Sequence, residues 1–492
     1  MNGAISIHPQ PRDTHDSGME ANLREVEENQ HSTALTDKES PQAWKAGKKW
    51  ICTGILVAMT ATVAFCSSIY SAAIEAIAIH YDCSRLVSTL GLSTFLLGFA
   101  VGPLLFAPLS EIWGRNTIFR ITMLLFLLSQ IGCALGPNIA SMLVFRFLSG
   151  FFGAPAVTNS GGSLTDLWPQ SHRSVPLALF SAASFLGPVI APTVGGFLTE
   201  YSSWQWNFWL VLIIASTVYL AMFLYLPETY APKLWRDKQH AQSSMTERKD
   251  FKPELYTNLT RPWVMLFREP ILFSFSLYMA LIYGILYLDF TAYPFVYGQS
   301  RGWSSGIAGL SFLGIAVGMA IATMSSGYIN RIHSHYVYKL GGPHPEARLP
   351  HLIVLSWLIP FGLFWFAWTA SPPTHWISGI IAGVPFGLGL VPLFLGITSY
   401  LTDCYGKYSA SALAANAVLR ALFGATFPLF SRQMYERLGT PWATSLLGFL
   451  AVSMTPLPWL FYRFGPKLRA MSKYHLQTIK AEQEKNEIGP MR

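Results

Sequence analysis

Charge is what this chain has least of. Of its 492 residues only 12% are charged, against 51% hydrophobic, whereas a soluble globular chain carries roughly 25% charged residues. That shortfall excludes an ordinary soluble enzyme and a disordered protein alike. Cysteine is scarce too. Cys52, Cys66, Cys83, Cys133 and Cys404 show no metal-ligand spacing, and four of the five fall in or beside apolar runs. They read as small hydrophobes, not as a disulfide framework. No Gly-x-x-x-x-Gly-Lys-[Ser/Thr] run occurs, so no ATP-hydrolysing P-loop is expected, and His-Glu-x-x-His, Gly-x-Ser-x-Gly and Cys-x-x-Cys are missing as well. The expectation is no enzyme, no cofactor and no metal. No apolar stretch follows Met1, so no cleavable signal peptide is expected, and residues 1–44 read as a disordered tail.

What is present is a series of long apolar runs: 50–71, 87–109, 119–138, 140–163, 175–199, 204–226, 271–296, 304–329, 351–370, 374–401, 408–430 and 441–462. Most are long enough to cross a hydrocarbon core of about 30 Å, where a backbone must satisfy its own hydrogen bonds. The expected fold is an all-α polytopic membrane protein with twelve transmembrane helices in two six-helix bundles. The net charge of +8 is sorted between faces. If both termini are cytoplasmic, the inner flanks hold 22 Lys and Arg and the outer flanks only Arg85, Arg301, Arg432 and Arg437. That asymmetry orients the chain and removes nucleic acid as an explanation for the charge. Residues 45–227 and 271–462 are the two bundles, with a cytoplasmic loop at 228–270 and a cytoplasmic tail at 463–492. The sequon at Asn258 falls on the cytoplasmic side and should stay unmodified.

Three charges stand deep inside the runs: Arg146, Asp289 and Arg420. A charge at the bilayer centre costs about 2.5–3.5 kcal/mol on insertion scales, so each must face protein or a wet cavity. Arg420 reads as a structural intramembrane charge, and Arg146 as either a backbone tie or a proton-coupling group. Asp289 shares a helical face with Leu286 and Tyr293. An acid beside an aromatic suits a cationic or amphipathic ligand, or a proton. Arg146 and Asp289 lie at similar depth and are expected to meet across the two bundles. In the short second loop Glu111, Gly114 and Arg115 form a compact charge cluster that can latch one conformation. The fifth run carries Gly187, Pro188, Pro192, Gly195 and Gly196, which bend a helix and let neighbours approach.

These residues resemble a known family. The chain is similar to major facilitator superfamily transporters, and more narrowly to fungal drug:proton antiporters with twelve spans. Ala107-Pro-Leu-Ser-Glu-Ile-Trp-Gly-Arg115 resembles the family's second-loop motif, and Arg146-Phe-Leu-Ser-Gly150 its fourth-span motif. Leu186-Gly-Pro-Val-Ile-Ala-Pro-Thr-Val-Gly-Gly196 resembles the antiporter motif. Pro227-Glu-Thr-Tyr-Ala-Pro-Lys-Leu234, Tyr283-Gly-Ile-Leu-Tyr287 and the run from Ser411 through Asn416 and Arg420 to Pro428 resemble the fungal subgroup. Ala107, Ile112 and Asn116 depart from the usual second-loop residues, and Asp289 stands where an aromatic or aliphatic residue is usual. The resemblance implies export of amphipathic or aromatic molecules, such as drugs, toxins or secondary metabolites, driven by a proton gradient through alternating access. Spans 1, 4, 7 and 10 would line the cavity. Arg146, Asp166 and Asp289 would handle the proton, and Asp289, Leu286, Tyr293 and Asn416 the substrate. The expected partners are substrate, protons and the bilayer of the plasma membrane, for a functional monomer. A polyamine or organic-acid transporter on the same fold stays open, and a non-transporting receptor is a distant rival.

Overall fold

The computed structural model describes residues 40–169, 172–242, 252–342 and 344–472. The tail expected to be disordered lies outside them up to residue 39, as do residues 473–492. Eleven segments are long and apolar enough to cross a membrane. We label the helices α1 (Ala46–Ile69), α2 (Arg85–Trp113), α3 (Arg115–Leu135), α4 (Ile139–Leu167), α5 (Ser174–Tyr201), α6 (Trp206–Tyr225) and α7 (Pro270–Arg301). Then come α8 (Ser305–Met324), α9 (Pro345–Thr369) and α10 (Trp376–Tyr405). The last segment, Ser409–Met471, is two helices, because Gly439 at φ 72°, ψ 161° breaks it. That backbone conformation suits glycine, and Pro441 starts the next helix with its preset φ. Residues 409–438 are α11 and residues 440–471 are α12, which completes twelve crossings.

The eleventh expected span ended at 430, but α11 continues eight residues further. Arg432 and Glu436, an ion pair of 2.5 Å one turn apart, support that extension. The fourth expected span ended at 163, while α4 runs on to Leu167 because Asp166 finds a partner in Arg115.

Lipid is as apolar as leucine, so packing of small residues drives helix association. In the first bundle Gly98 and Gly102 of α2 lie against the backbone of Phe147 and Phe151 on α4. In the second, Gly314 and Gly318 of α8 lie against Ile380 and Val384 on α10. The same four-residue spacing on matching helices shows that the halves repeat one plan. Large apolar side chains face outward: Ile121, Leu124, Leu128 and Leu135 form an exposed stripe along α3.

The halves meet along a seam. Ser93 on α2 donates to the Ala425 carbonyl on α11 (2.5 Å), and Thr193 on α5 to that of Gly309 on α8 (2.7 Å). The Gly306 amide donates to Glu200 (3.0 Å). These bonds lie between mid-membrane and the face opposite the one where α1 begins and α12 ends. At this terminal face the ion pairs Arg115–Asp166, Arg348–Asp403 and Arg469–Glu346 each stay within one half. A recess of about 300 Å³ opens between the halves at the opposite face, lined by Arg85, Thr89, Thr291, Ser431 and Arg432 among others.

Candidate functional site

Arg146 is fully buried on α4. Its guanidinium donates to the carbonyls of Gly91 (2.9 Å), Cys66 (3.2 Å) and Ser67 (3.3 Å). The rings of Tyr70 and Phe95 flank it at 4.8 and 4.6 Å. The Cys66 and Ser67 acceptors exist because α1 passes into a 3-10 turn over Tyr70–Ala73, which opens its last carbonyls to outside donors. Arg146 thus ties α4 to α1 and α2. The expected pairing with Asp289 is not formed.

A chain of hydroxyls leads from this tie across the seam. The Ser67 hydroxyl donates to the Ala64 carbonyl (2.6 Å) and lies 2.7 Å from the Tyr287 hydroxyl on α7. Since Ser67 uses its hydrogen on Ala64, Tyr287 donates to Ser67. Tyr283 in turn donates to Tyr287 (3.3 Å). Over the Tyr283 ring, at 5.0 Å, sits the guanidinium of Arg420 on α11, which also faces Phe394 on α10 at 5.5 Å. Phe394 meets Phe185 on α5 edge-on at 4.9 Å, an aromatic contact between halves. The two intramembrane arginines are therefore joined through Ser67, Tyr287 and Tyr283. Arg420, expected as a structural charge, is half-buried, and among the described residues ring faces are the contacts it makes.

Asp289 follows Tyr287 by two residues, which turns it about 200° around α7, away from the seam. It is 1% exposed, and among the described residues neither carboxylate oxygen has a hydrogen-bond partner. The phenols of Tyr293 and Tyr435 lie within electrostatic reach. Tyr293 stacks on Phe366 (4.3 Å) of α9 and Phe312 (5.0 Å) of α8, and Tyr435 bonds Thr444 of α12. Asp289, Leu286 and Tyr293 thus belong to the interior of the second bundle. Asn416, expected at the substrate, donates to Ser276 (3.2 Å) and Met279 (3.3 Å) and fastens α11 to α7.

At the terminal face Arg115 pairs with Asp166 at 2.8 Å, and its guanidinium reaches Ser110 and the ring of Tyr230. Burial pushes the Tyr230 phenol above its ordinary value, so it stays neutral beneath that cation. Asp166 lies here, in the last turn of α4, and not in the middle of the membrane. Gly114 has φ 90°, and a side chain there would strike Glu228. Glu228, for which no role is expected from the sequence, accepts from the amides of Arg115 (3.0 Å), Asn116 (3.3 Å), Thr229 (3.0 Å) and Tyr230 (3.0 Å). Arg236 donates to the carbonyls of Glu111 (2.8 Å) and Ile112 (2.9 Å). The segment after α6 therefore caps the start of α3 with an anion and the end of α2 with a cation, as the helix dipoles favour. Asn116, which departs from the family's basic residue, donates to the Leu226 carbonyl (2.8 Å) at the end of α6.

The span 5 motif works in two directions. Pro192 has no N–H, which frees the Pro188 carbonyl to accept from Ser68 of α1 at 2.6 Å. Gly187 and Gly195 also face α1, whereas Gly196 meets the backbone of Ser305 and Gly306 in the other half.

Residues 56–428 match the Major Facilitator Superfamily. An MFS-type efflux pump of Trichophyton rubrum is 44% identical, over 89% of this chain and 76% of its own. A major facilitator superfamily multidrug transporter of Aspergillus fumigatus is also 44% identical, over 89% and 74%. A citrinin biosynthesis cluster MFS transporter of Monascus ruber is 41% identical, over 89% and 90%. Among solved structures, a proton:xylose symporter superposes with TM-score 0.63 at 16% identity, over 85% of this chain and 97% of that one. A human organic anion transporter superposes with TM-score 0.58 at 19% identity, over 84% and 100%. Twelve membrane-crossing helices in two repeated halves, and a match over most of the chain, give one conclusion: this protein belongs to the Major Facilitator Superfamily.

Proposed function

We propose that this chain is a proton-driven exporter of amphipathic or aromatic small molecules, such as drugs, toxins or secondary metabolites, working by alternating access. The observation that carries the reading is the seam. Among the described residues the two halves share few hydrogen bonds, those of Ser93, Thr193 and Gly306 lie toward one face, and charged and hydroxyl groups line the contact at mid-membrane. The relatives, one termed an efflux pump and one a multidrug transporter, support the outward direction. The sorting of Lys and Arg supports cytoplasmic termini, which puts the seam hydrogen bonds of Ser93, Thr193 and Gly306 on the outer side of mid-membrane. The site of action is the plasma membrane, and the monomer is the working unit, without catalytic activity.

Asp289 is the proposed proton acceptor. A buried carboxylate with neither oxygen hydrogen-bonded is stable only with a counter-charge, and a proton fits the enclosure of Tyr293 and Tyr435. Arg146 bears on this step through Ser67 and Tyr287 on the other side of α7, not by facing the acid. Arg115 with Asp166, and the capped loop around Gly114, hold the terminal end of the first bundle as one body.

The test is flux of a fluorescent aromatic substrate in proteoliposomes under an imposed pH gradient. Collapse of the gradient with nigericin should abolish transport. Flux that survives the collapse and follows added ATP instead would refute the reading.

A further inference from the structure

We infer that Arg420 is the anion-binding centre of a subsite for aromatic carboxylic acids, formed with Tyr283, Phe394 and Phe185. This inference rests on the exporter reading, whose cargo class it narrows.

The two intramembrane arginines differ in what satisfies them. Arg146 is fully buried and its donors meet three backbone carbonyls. Arg420 is half-buried, and among the described residues its guanidinium has ring contacts but neither a hydrogen-bond acceptor nor a carboxylate partner. It stands eleven residues into α11, about 16 Å from the start of that helix. A guanidinium offers five N–H donors in a planar fork, and a carboxylate takes two of them side by side. The rings of Tyr283 and Phe394 beside that fork, with Phe185 edge-on to Phe394, offer faces and edges to an aromatic body attached to the acid.

Charge also selects against the alternative. A polyamine or other cation at this place would meet Arg420 and be repelled. The acid expected to attract it, Asp289, lies about 200° round α7 from Tyr287 and faces the interior of the second bundle. The position on the seam gives the subsite its use. Tyr283 and Phe394 belong to the second half, Phe185 to the first, and the Tyr283 hydroxyl continues through Tyr287 to Ser67 of the first half. A ligand on Arg420 therefore touches both moving bodies.

The experiment uses the full chain in nanodiscs at pH 7.5, with equilibrium binding of tritiated 1-naphthoate compared with 1-naphthamide, its neutral near-isostere. The wild type should bind the acid at least about tenfold more tightly than the amide. In Arg420→Gln the ratio should fall to near one. Arg420→Lys, which keeps the charge without the fork, should give an intermediate ratio. Equal affinities in the wild type, binding of neither probe, or a full acid preference retained in a monodisperse Arg420→Gln protein overturns the inference. The wild-type comparison stands even if a variant fails to fold. Flux of a neutral aromatic dye under a pH gradient is read separately. Acid preference without any proton-driven flux removes the exporter reading and leaves the subsite. Proton-driven dye flux without acid preference does the reverse.

Discussion

Replacing Gly196 by valine should wedge the seam apart at one face. A Cβ on Gly196 would lie 2.5 Å from the Ser305 carbonyl oxygen and 2.9 Å from its carbon. Non-bonded carbons sit comfortably at about 3.5–4.0 Å, so α5 and α8 must separate by about 1 Å. The obstacle is backbone and has no rotamer to escape into. Overpacking of this kind costs about 1–3 kcal/mol, and it falls only on the conformation in which the two helices touch. For a carrier whose states differ by a few kcal/mol, that is a shift of about 5–150-fold toward the conformation open at the opposite face. Spin labels at Ile79 and Leu438, exposed positions of the two halves near that face, report it by pulsed EPR in a chain with Cys83 replaced by serine. The longer-distance population should grow, and export should slow about fivefold or more. Gly195→Val is the control: its Cβ would meet the Ile69 carbonyl at 2.8 Å inside the same half. It should lower thermal stability without changing the distance distribution. An unchanged distribution together with an unchanged export rate in Gly196→Val refutes the argument.

Glu228→Gln removes a carboxylate that accepts from four backbone amides. Weakened charge-assisted bonds make this a loss of about 2 kcal/mol, or about 4–8 °C in Tm for a unit of 150–250 residues, and an unmoved melting curve would contradict the cap. Asp289→Asn keeps shape and removes the proton site, so transport should lose its dependence on the pH gradient; a retained dependence places the proton elsewhere. Tyr287→Phe breaks the hydroxyl chain at Ser67, worth about 1 kcal/mol, and should slow export several-fold in a normally folded protein. An export rate equal to wild type would mean that the hydroxyl chain plays no part.

The twelve crossings were legible because a membrane helix must be long, apolar and self-satisfied, and those demands write themselves into consecutive residues. Which way each helix faces was not. Asp289 and Tyr287 are two positions apart on a helix apolar on every side, so no periodicity marks the side that meets the other half. A charge could be located in depth but not in azimuth. Asn416 shows the same limit from the polar side, since an amide that ties two helices reads in sequence like one that lines a cavity. Glu228 was hidden for another reason. A cap is usually sought within four residues of the helix it serves, and this one comes 113 residues later.

That separation has a consequence for synthesis. Until residue 228 leaves the ribosome, the first two amides of α3 lack the carboxylate that completes them, and until Arg236 follows, the end of α2 lacks its donor. At about 5–20 residues per second the wait is roughly 6–23 s, long enough for the insertion machinery to hold an uncapped hairpin. The chain closes its first bundle backwards, with its last-made piece fastening an early one. A polypeptide divided for co-expression of its halves should therefore be cut beyond Gln242 and not after Leu226, because the helix that ends there is fastened through Arg236 to the half already built.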